Sequence, residues 1–284
     1  MAYSCPNDWC RMFLDVDGAQ DAFSRARNDP VFFWHYFLNR CPHPGQANYV
    51  RNANATVNAL ACSNRYGKTT LLAGRHFHSN VFKIGAEPRY VDDAGSIDLD
   101  KFIRLPYQTV HAAGLWEQAS DPWEDALRLI DENGRLAAFV KDAPRSKPPH
   151  IDFIHGARWR FRTLGDDGSG VDGKSFYLIS IDEAGWLARL EEMMNNVLRI
   201  RVGDVRGRID IVGTFKPGVS KDFFKICVRA AAKTGASLGF DHRGDSTGDE
   251  EAGSLDAAIR KYARELGFDL DEEIAKARAA GVIE

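Results

Sequence analysis

Lys68 and Thr69, in the stretch "ACSNRYGKTTLL" (61–72), have the types and the order needed to hold a polyphosphate and its cation. In a phosphate-binding loop, backbone N–H groups point into a cradle at a helix N-terminus, where the helix dipole favours anions. The lysine reaches the β- and γ-phosphates, and the hydroxyl beside it binds Mg2+. The run therefore nominates Ser63, Asn64, Arg65, Tyr66, Gly67, Lys68, Thr69 and Thr70 as an ATP cradle. One letter departs from the pattern. Cys62 stands where the first glycine belongs, a position that supplies backbone freedom and no phosphate chemistry.

A second set lies in "FYLISIDEAG" (176–185), an apolar run ending in two adjacent carboxylates, Asp182 and Glu183. Apolar residues at successive positions indicate a strand buried on both faces. Acids at its C-terminal tip sit at the ligand-binding edge of an open α/β sheet. There Asp182 would hold the hydrated Mg2+, together with Thr69, and Glu183 would orient or deprotonate an attacking water. Two weaker candidates complete the set. Gln46, in "CPHPGQANYV", carries an amide able to donate to and accept from an adenine edge, and Thr214, in "IVGTFKPG", places a hydroxyl at another strand tip. Taken singly, each of these two is equally well read as an ordinary turn residue.

The elements needed to position these groups are legible. "ATVNALA" (55–61) reads as a buried strand, and "GKTTLLAGRHFHSNVF" as a helix with apolar spacing of three and four, so strand passes to loop to helix at the Gly-Lys-Thr. A strand and helices follow in 101–134, then a hairpin over 151–164, where a central glycine separates alternating residues. Residues 187–200 read as helical and 207–215 as a strand. Alternation of this kind implies an α/β fold with a mostly parallel sheet flanked by helices. The aromatic-rich residues 1–45 read as an N-terminal helical arm, 46–235 as the core, and 236–284 as a helical linker or lid.

Composition narrows the class. The 284 residues are 44% hydrophobic and 27% charged, the balance of a soluble globular chain. No apolar run is long enough to span a membrane, and no secretion signal is recognisable, which predicts a cytoplasmic protein. The five cysteines lack a CxxC pair, so reduced thiols are expected. Cys5, Cys10, Cys41 and His43 lack zinc-ligand spacing. The net charge of −3 is uneven: residues 241–284 hold 12 acidic and 6 basic side chains, leaving 31 basic and 28 acidic in the first 240. Nucleic-acid contact would then be a local patch. Arg158, Arg160 and Arg162 alternate with Trp159 and Phe161, so one strand face offers such a patch.

Taken together, "HPGQ", "CSNRYGKTT", "FIHGARWRFRTLGDDGSGVDGKSFYLISIDEA" and "VGTFKPGVSKDFF" resemble the ATPase domain of the large terminase subunit of tailed bacteriophages, over roughly residues 30–225. The resemblance accounts for Cys62, because phosphate loops without the first glycine and with an internal arginine are habitual in that family. It implies a RecA/ASCE-type P-loop NTPase core that uses ATP and Mg2+ to drive double-stranded DNA into a preformed capsid. By motif position, Gln46 would contact adenine, Glu183 would be the catalytic acid, Thr214 would couple hydrolysis to motion, and Arg65 would stabilise charge. The implied partners are DNA, a portal protein and a small terminase subunit. The implied assembly is a homo-oligomeric ring, expected to be a pentamer, at the portal vertex in the host cytoplasm.

Two departures accompany the resemblance. The family often has Arg-Gly before the acidic strand, whereas Asp172 precedes Gly173 here. An arginine finger would then have to come from elsewhere, with Lys174, Arg158, Arg160, Arg162, Arg199, Arg201, Arg206 and Arg208 as candidates, each otherwise a solvated surface charge. The family's C-terminal nuclease is not recognisable in the residues after Thr214, so no nuclease activity is expected of this chain. Two other readings stay open: a helicase-like DNA-dependent ATPase, which would require a second RecA-like lobe, and an ATP-binding regulatory or assembly module.

Overall fold

The computed structural model describes residues 19–62, 66–82, 87–88, 102–103, 107–146, 148–171, 173–214, 221–234 and 240–241, together with Glu272 and Ala275. The chain opens with helices α1 (Ala19–Asn28), α2 (Pro30–Leu38) and α3 (Pro44–Asn52), and then enters strand β1 (Val57–Cys62) and helix α4 (Lys68–Phe82). Two short strands, β2 (Glu87–Pro88) and β3 (Phe102–Ile103), pair antiparallel to each other outside the main sheet. β4 (Gln108–Ala113) leads into α5 (Trp116–Glu132), α6 (Gly134–Ala137), β5 (Val140–Asp142), β6 (His150–Phe153) and β7 (Arg158–Thr163). After β8 (Leu178–Ile181), α7 (Leu190–Met193) continues through a π-helical turn (Met194–Leu198) into α8 (Arg199–Gly203). β9 (Arg208–Gly213), α9 (Lys221–Thr234) and β10 (Phe240–Asp241) follow.

The main sheet has eight strands in the order β10-β1-β9-β8-β4-β7-β6-β5. Every pairing from β10 to β7 is parallel, and the β7–β6 and β6–β5 pairings are antiparallel. β9 therefore lies between the strand that feeds the Gly-Lys-Thr and the strand that ends in the acids. In a parallel array all C-terminal tips face one edge, so the register Ala61↔Gly213 and Ile181↔Ile211 brings the tips of β1, β9 and β8 together. β10 belongs to this sheet, pairing with β1 at Ala61 and Cys62, and lies within the segment 236–284. Its remaining residues, apart from Glu272 and Ala275, lie outside the described set.

Side chains alternating along each strand feed two cores. Leu60, Cys62, Trp159, Phe161 and Val212 join the helices α1–α6 on one face, and Ala59, Ala61, Ile179, Ile181, Ile209 and Ile211 join α7–α9 on the other. The N-terminal helices are part of the first core. Asp29 caps α2 by accepting from the Val31 N–H at 3.0 Å, and Pro30 occupies the first turn, where its missing donor costs nothing. α2 then buries Phe32, Phe33 and Trp34 almost completely. Trp34 lies flat against α4 at Gly74, where a Cβ would fall 2.3 Å from the indole ring, so only glycine admits this approach. Burial of large aromatics at roughly 2–3 kcal/mol each makes α2 a main support of α4.

Candidate active site

The nominated residues converge at the C-terminal edge of the sheet. α4 begins at Lys68, immediately after the loop, which sets the lysine and both threonines in its first turn. The Lys68 side chain is buried (8% exposed), and its Nζ donates to Thr214 Oγ1 at 2.9 Å and lies 3.5 Å from Glu183 Oε1. Thr69 Oγ1 lies 3.5 Å from Asp182 Oδ2, and the other carboxylate oxygen of Asp182 accepts the Glu183 N–H at 2.8 Å. Lys68, Thr69, Asp182, Glu183 and Thr214 thus meet from three adjacent strand tips. Thr70 is half-buried in the same helical turn.

Two local features set the acids. Asp182 is 3% exposed, and that burial, reinforced by the neighbouring Glu183 charge, pushes its carboxyl up to about 6 against the opposing pull of the Glu183 N–H, Lys68 and Thr69. Glu183 adopts a left-handed backbone (φ 50, ψ 38), a conformation that costs a non-glycine residue on the order of 1 kcal/mol. Its side chain leaves the strand direction and stays partly exposed (28%) facing Lys68. β9 closes against this turn: a Cβ on Gly213 would come within 2.8 Å of the Ala184 N and 2.9 Å of the Gly185 N.

The donor set suits a hard divalent cation. A hydroxyl and a carboxylate oxygen of Asp182 that has only a long contact within the protein are oxygen ligands of the kind Mg2+ takes, in company with phosphate and water. Thr69 and Asp182 would hold the ion, which supplies charge neutralisation on the phosphates when bound.

Behind the loop stand Gln46 and His43, both hydrogen-bonded to its backbone. Gln46 is buried, its Nε2 donating to the Tyr66 and Gly67 carbonyls at 3.2 Å each and its Oε1 accepting from the His43 N–H at 3.1 Å. His43 caps α3: its Nδ1 accepts from the Gly45 N–H at 3.1 Å and from that of Gln46 at 3.4 Å. The ring proton therefore sits on Nε2, which donates to the Tyr66 carbonyl at 3.1 Å. Gly67 is held at φ 83, and a Cβ there would lie 2.7 Å from Gln46 Nε2. The only sequence signal for this clasp is "HPGQ", in which histidine is an unusual N-cap.

Sequence reasoning also missed a buried polar chain. His76 of α4 is hydrogen-bonded to Ser180 of β8 at 2.7 Å, Ser180 to His111 of β4 at 2.9 Å, and His76 to Thr109 at 3.0 Å. Burial lowers both imidazoles, His111 to about 3, so the pair is neutral. The chain ties the phosphate-loop helix to the acidic strand two residues before Asp182.

The remaining candidates are dispersed. Ser63, Asn64 and Arg65 lie outside the described residues, as do Cys5 and Cys10. Tyr66 is buried, its ring packed edge-on against His43. Arg158 is ion-paired to Asp152, with Nη2 at 2.5 Å, and Arg160 donates to Gln108 at 3.3 Å. Arg162 is half-buried near the C-terminal edge, and Lys174 is exposed. Arg206 and Arg208 lie at the start of β9, the opposite edge of the sheet from Lys68.

No protein-family model matches the chain, and no characterised protein matches it by sequence. Among solved structures, the large terminase of bacteriophage HK97 is similar at 18% identity and a TM-score of 0.55, over 90% of this chain and 51% of that one. The chain thus spans about half the length of the HK97 protein. The large terminase ATPase domain of Thermus phage P74-26 aligns at 14% identity and a TM-score of 0.48, over 69% of this chain and 73% of that one. The large terminase of a second thermophilic bacteriophage, in complex with ADP, aligns at 15% identity and a TM-score of 0.38, over 60% and 38%. The chain has an α/β fold similar to that of part of the HK97 large terminase, with its Gly-Lys-Thr and Asp-Glu motifs at the tips of the sheet.

Proposed function

We propose that this chain is the ATP-hydrolysing motor domain of a terminase large subunit, translocating double-stranded DNA into a procapsid. The observation that carries the reading is the meeting of Lys68 and Thr69 with Asp182 and Glu183 across β1 and β8, with Thr214 of the intervening strand bonded to the lysine. A phosphate-binding lysine, an oxygen pair for Mg2+ and a separate, partly exposed carboxylate are the parts that ATP hydrolysis requires.

Each residue has a distinct task. Lys68 exchanges its contacts with Thr214 and Glu183 for the β- and γ-phosphates. Thr69 and Asp182 would hold Mg2+. Glu183, freed from the lysine, orients the attacking water and accepts its proton. Thr214 loses its lysine partner when phosphate arrives, and so reports nucleotide occupancy to β9. The partners that go with this reading are linear duplex DNA, a portal protein, a small terminase subunit and neighbouring copies in a ring, a pentamer by resemblance. One of those copies would supply a further arginine beside Arg65, and the place of action would be the portal vertex in the host cytoplasm.

Steady-state ATP hydrolysis with Mg2+, with and without linear duplex DNA, tests the reading in wild type and Glu183→Gln. DNA-stimulated turnover abolished by the substitution is expected. Nucleotide binding without turnover, persisting at high protein concentration where ring neighbours are present, would replace the motor reading with an ATP-binding assembly module.

A further inference from the structure

A second concave site lies at the other end of the sheet. Where β4, β8 and β9 begin, a cleft of about 350 Å3 is lined by Arg27, Arg51, Arg75, Arg206 and Arg208, with Tyr107 and Tyr177 beside them. Among the described residues no carboxylate lines it. Strands of six residues rise roughly 20 Å, so this cleft is separated from Lys68 by the length of a strand.

Two of the five arginines are neutralised. Arg75 is ion-paired to the buried Asp210 at 2.8 Å, and Arg51 to Asp29 at 3.2 Å. The other three have no acidic partner among the described residues: Arg208 reaches only the Asn54 amide at 3.1 Å, and the exposed Arg27 and Arg206 side chains make no contact of this kind. Arg206 is also held at φ 51, a left-handed conformation that glycine would adopt freely. The stacked rings of Tyr107 and Tyr177, 4.5 Å apart, give the site a rigid flank. Three uncompensated guanidiniums in one concavity repel one another unless an anion is present, and their planar forks match phosphate oxygens.

We infer that this cleft binds a phosphate-ester anion, through Arg27, Arg206 and Arg208, independently of the ATP site. It uses no residue of the phosphate loop or of the acidic strand. Two sources supply that chemistry, the backbone of duplex DNA and a small free phosphate, and two titrations separate them. Anisotropy of a labelled 30-bp duplex is measured across a salt series. Calorimetry uses pyrophosphate, with the ATP site saturated by a non-hydrolysable ATP analogue. Arg206→Gly keeps the backbone geometry and removes the charge, and Arg27→Ala truncates a side chain that packs on nothing charged. Each is expected to weaken binding about tenfold, and the logarithmic salt slope for DNA to fall by about 1 per arginine. A response confined to DNA identifies a polynucleotide backbone; one confined to pyrophosphate identifies a small phosphate. Unchanged binding in both titrations for both variants overturns the site. DNA-free ATP turnover of Arg27→Ala, at a residue outside the arginine-finger candidates, stays at the wild-type level, so this outcome is separable from failure of the motor reading.

Discussion

The Lys68 ammonium lies 3.5 Å from the Glu183 carboxylate. On the proposed reading, lysine and acid satisfy each other across the space a terminal phosphate would enter, and nucleotide binding must separate them. Glu183 both competes for the lysine and repels the incoming phosphates. Glu183→Gln keeps the size and the hydrogen bonding but removes the charge. We expect nucleotide affinity to rise severalfold by calorimetry while turnover falls by about 10²–10⁴, the range for losing a general base. Turnover within threefold of wild type would exclude Glu183 as the base.

Asp182 gives a pH signature. Its folded pKa of about 6 is raised above the ordinary carboxylate value of 3.8. The folded protein thus holds a proton that the unfolded chain releases from pH 4 upward. The stabilising effect of that proton is fully present below pH 4 and is lost as pH rises to 6. Above pH 6 the buried charge leaves a net cost of about 3 kcal/mol. Asp182→Asn should therefore be more stable than wild type at pH 7.5 and equal to it near pH 4, in urea titrations without nucleotide. An increment independent of pH would remove burial of this carboxylate as the cause.

The parts of this site that lie along one stretch of chain are legible in the sequence. "GKTT" announces a helix start, and "FYLISIDEA" a buried strand with acids at its tip, because period and punctuation encode them locally. The hairpin appears as β6 and β7, turning at Gly156 (φ 92). What the sequence conceals is pairing between distant segments. Nothing in "GRIDIVGTF" says that β9 inserts between β1 and β8, although that insertion is what brings Thr214 to Lys68. Likewise α2 reads as part of an aromatic-rich helical arm, and nothing in that reading says that Gly74 creates the slot that seats Trp34. His43 offers metal-ligand chemistry on paper, and only the fold shows both ring nitrogens engaged.

That engagement makes Gln46 and His43 positioning residues for the loop carbonyls of Tyr66 and Gly67. Removing the Gln46 amide should loosen the cradle whatever base the nucleotide carries. Gln46→Leu is expected to raise the Kd for ATP, GTP and inorganic triphosphate alike, by about thirtyfold, the loss of a pair of buried hydrogen bonds at roughly 1 kcal/mol each. Selective loss of ATP over triphosphate would instead show that the amide swings out to read adenine.

Asp210 anchors the strand that ends in Thr214. It is fully buried, accepting from Arg75 Nε at 2.8 Å and from Asn58 Nδ2 at 2.8 Å, while Arg75 Nη2 also reaches the Ala53 carbonyl at 2.7 Å. β1, α4 and β9 are thus cross-linked by one carboxylate. Asp210→Ala strands the Arg75 guanidinium in a nearly dry setting, and the expected cost is about 3–5 kcal/mol in urea denaturation. Asp210→Asn, which keeps an acceptor oxygen but not the charge, should cost less. Pairing Asp210→Leu with Arg75→Met removes both charges and should recover most of the loss, because an apolar pair needs no compensation. If the double variant is no more stable than Asp210→Ala, the hydrogen bonds to Asn58 and Ala53, and not the charge pair, hold β9 in register.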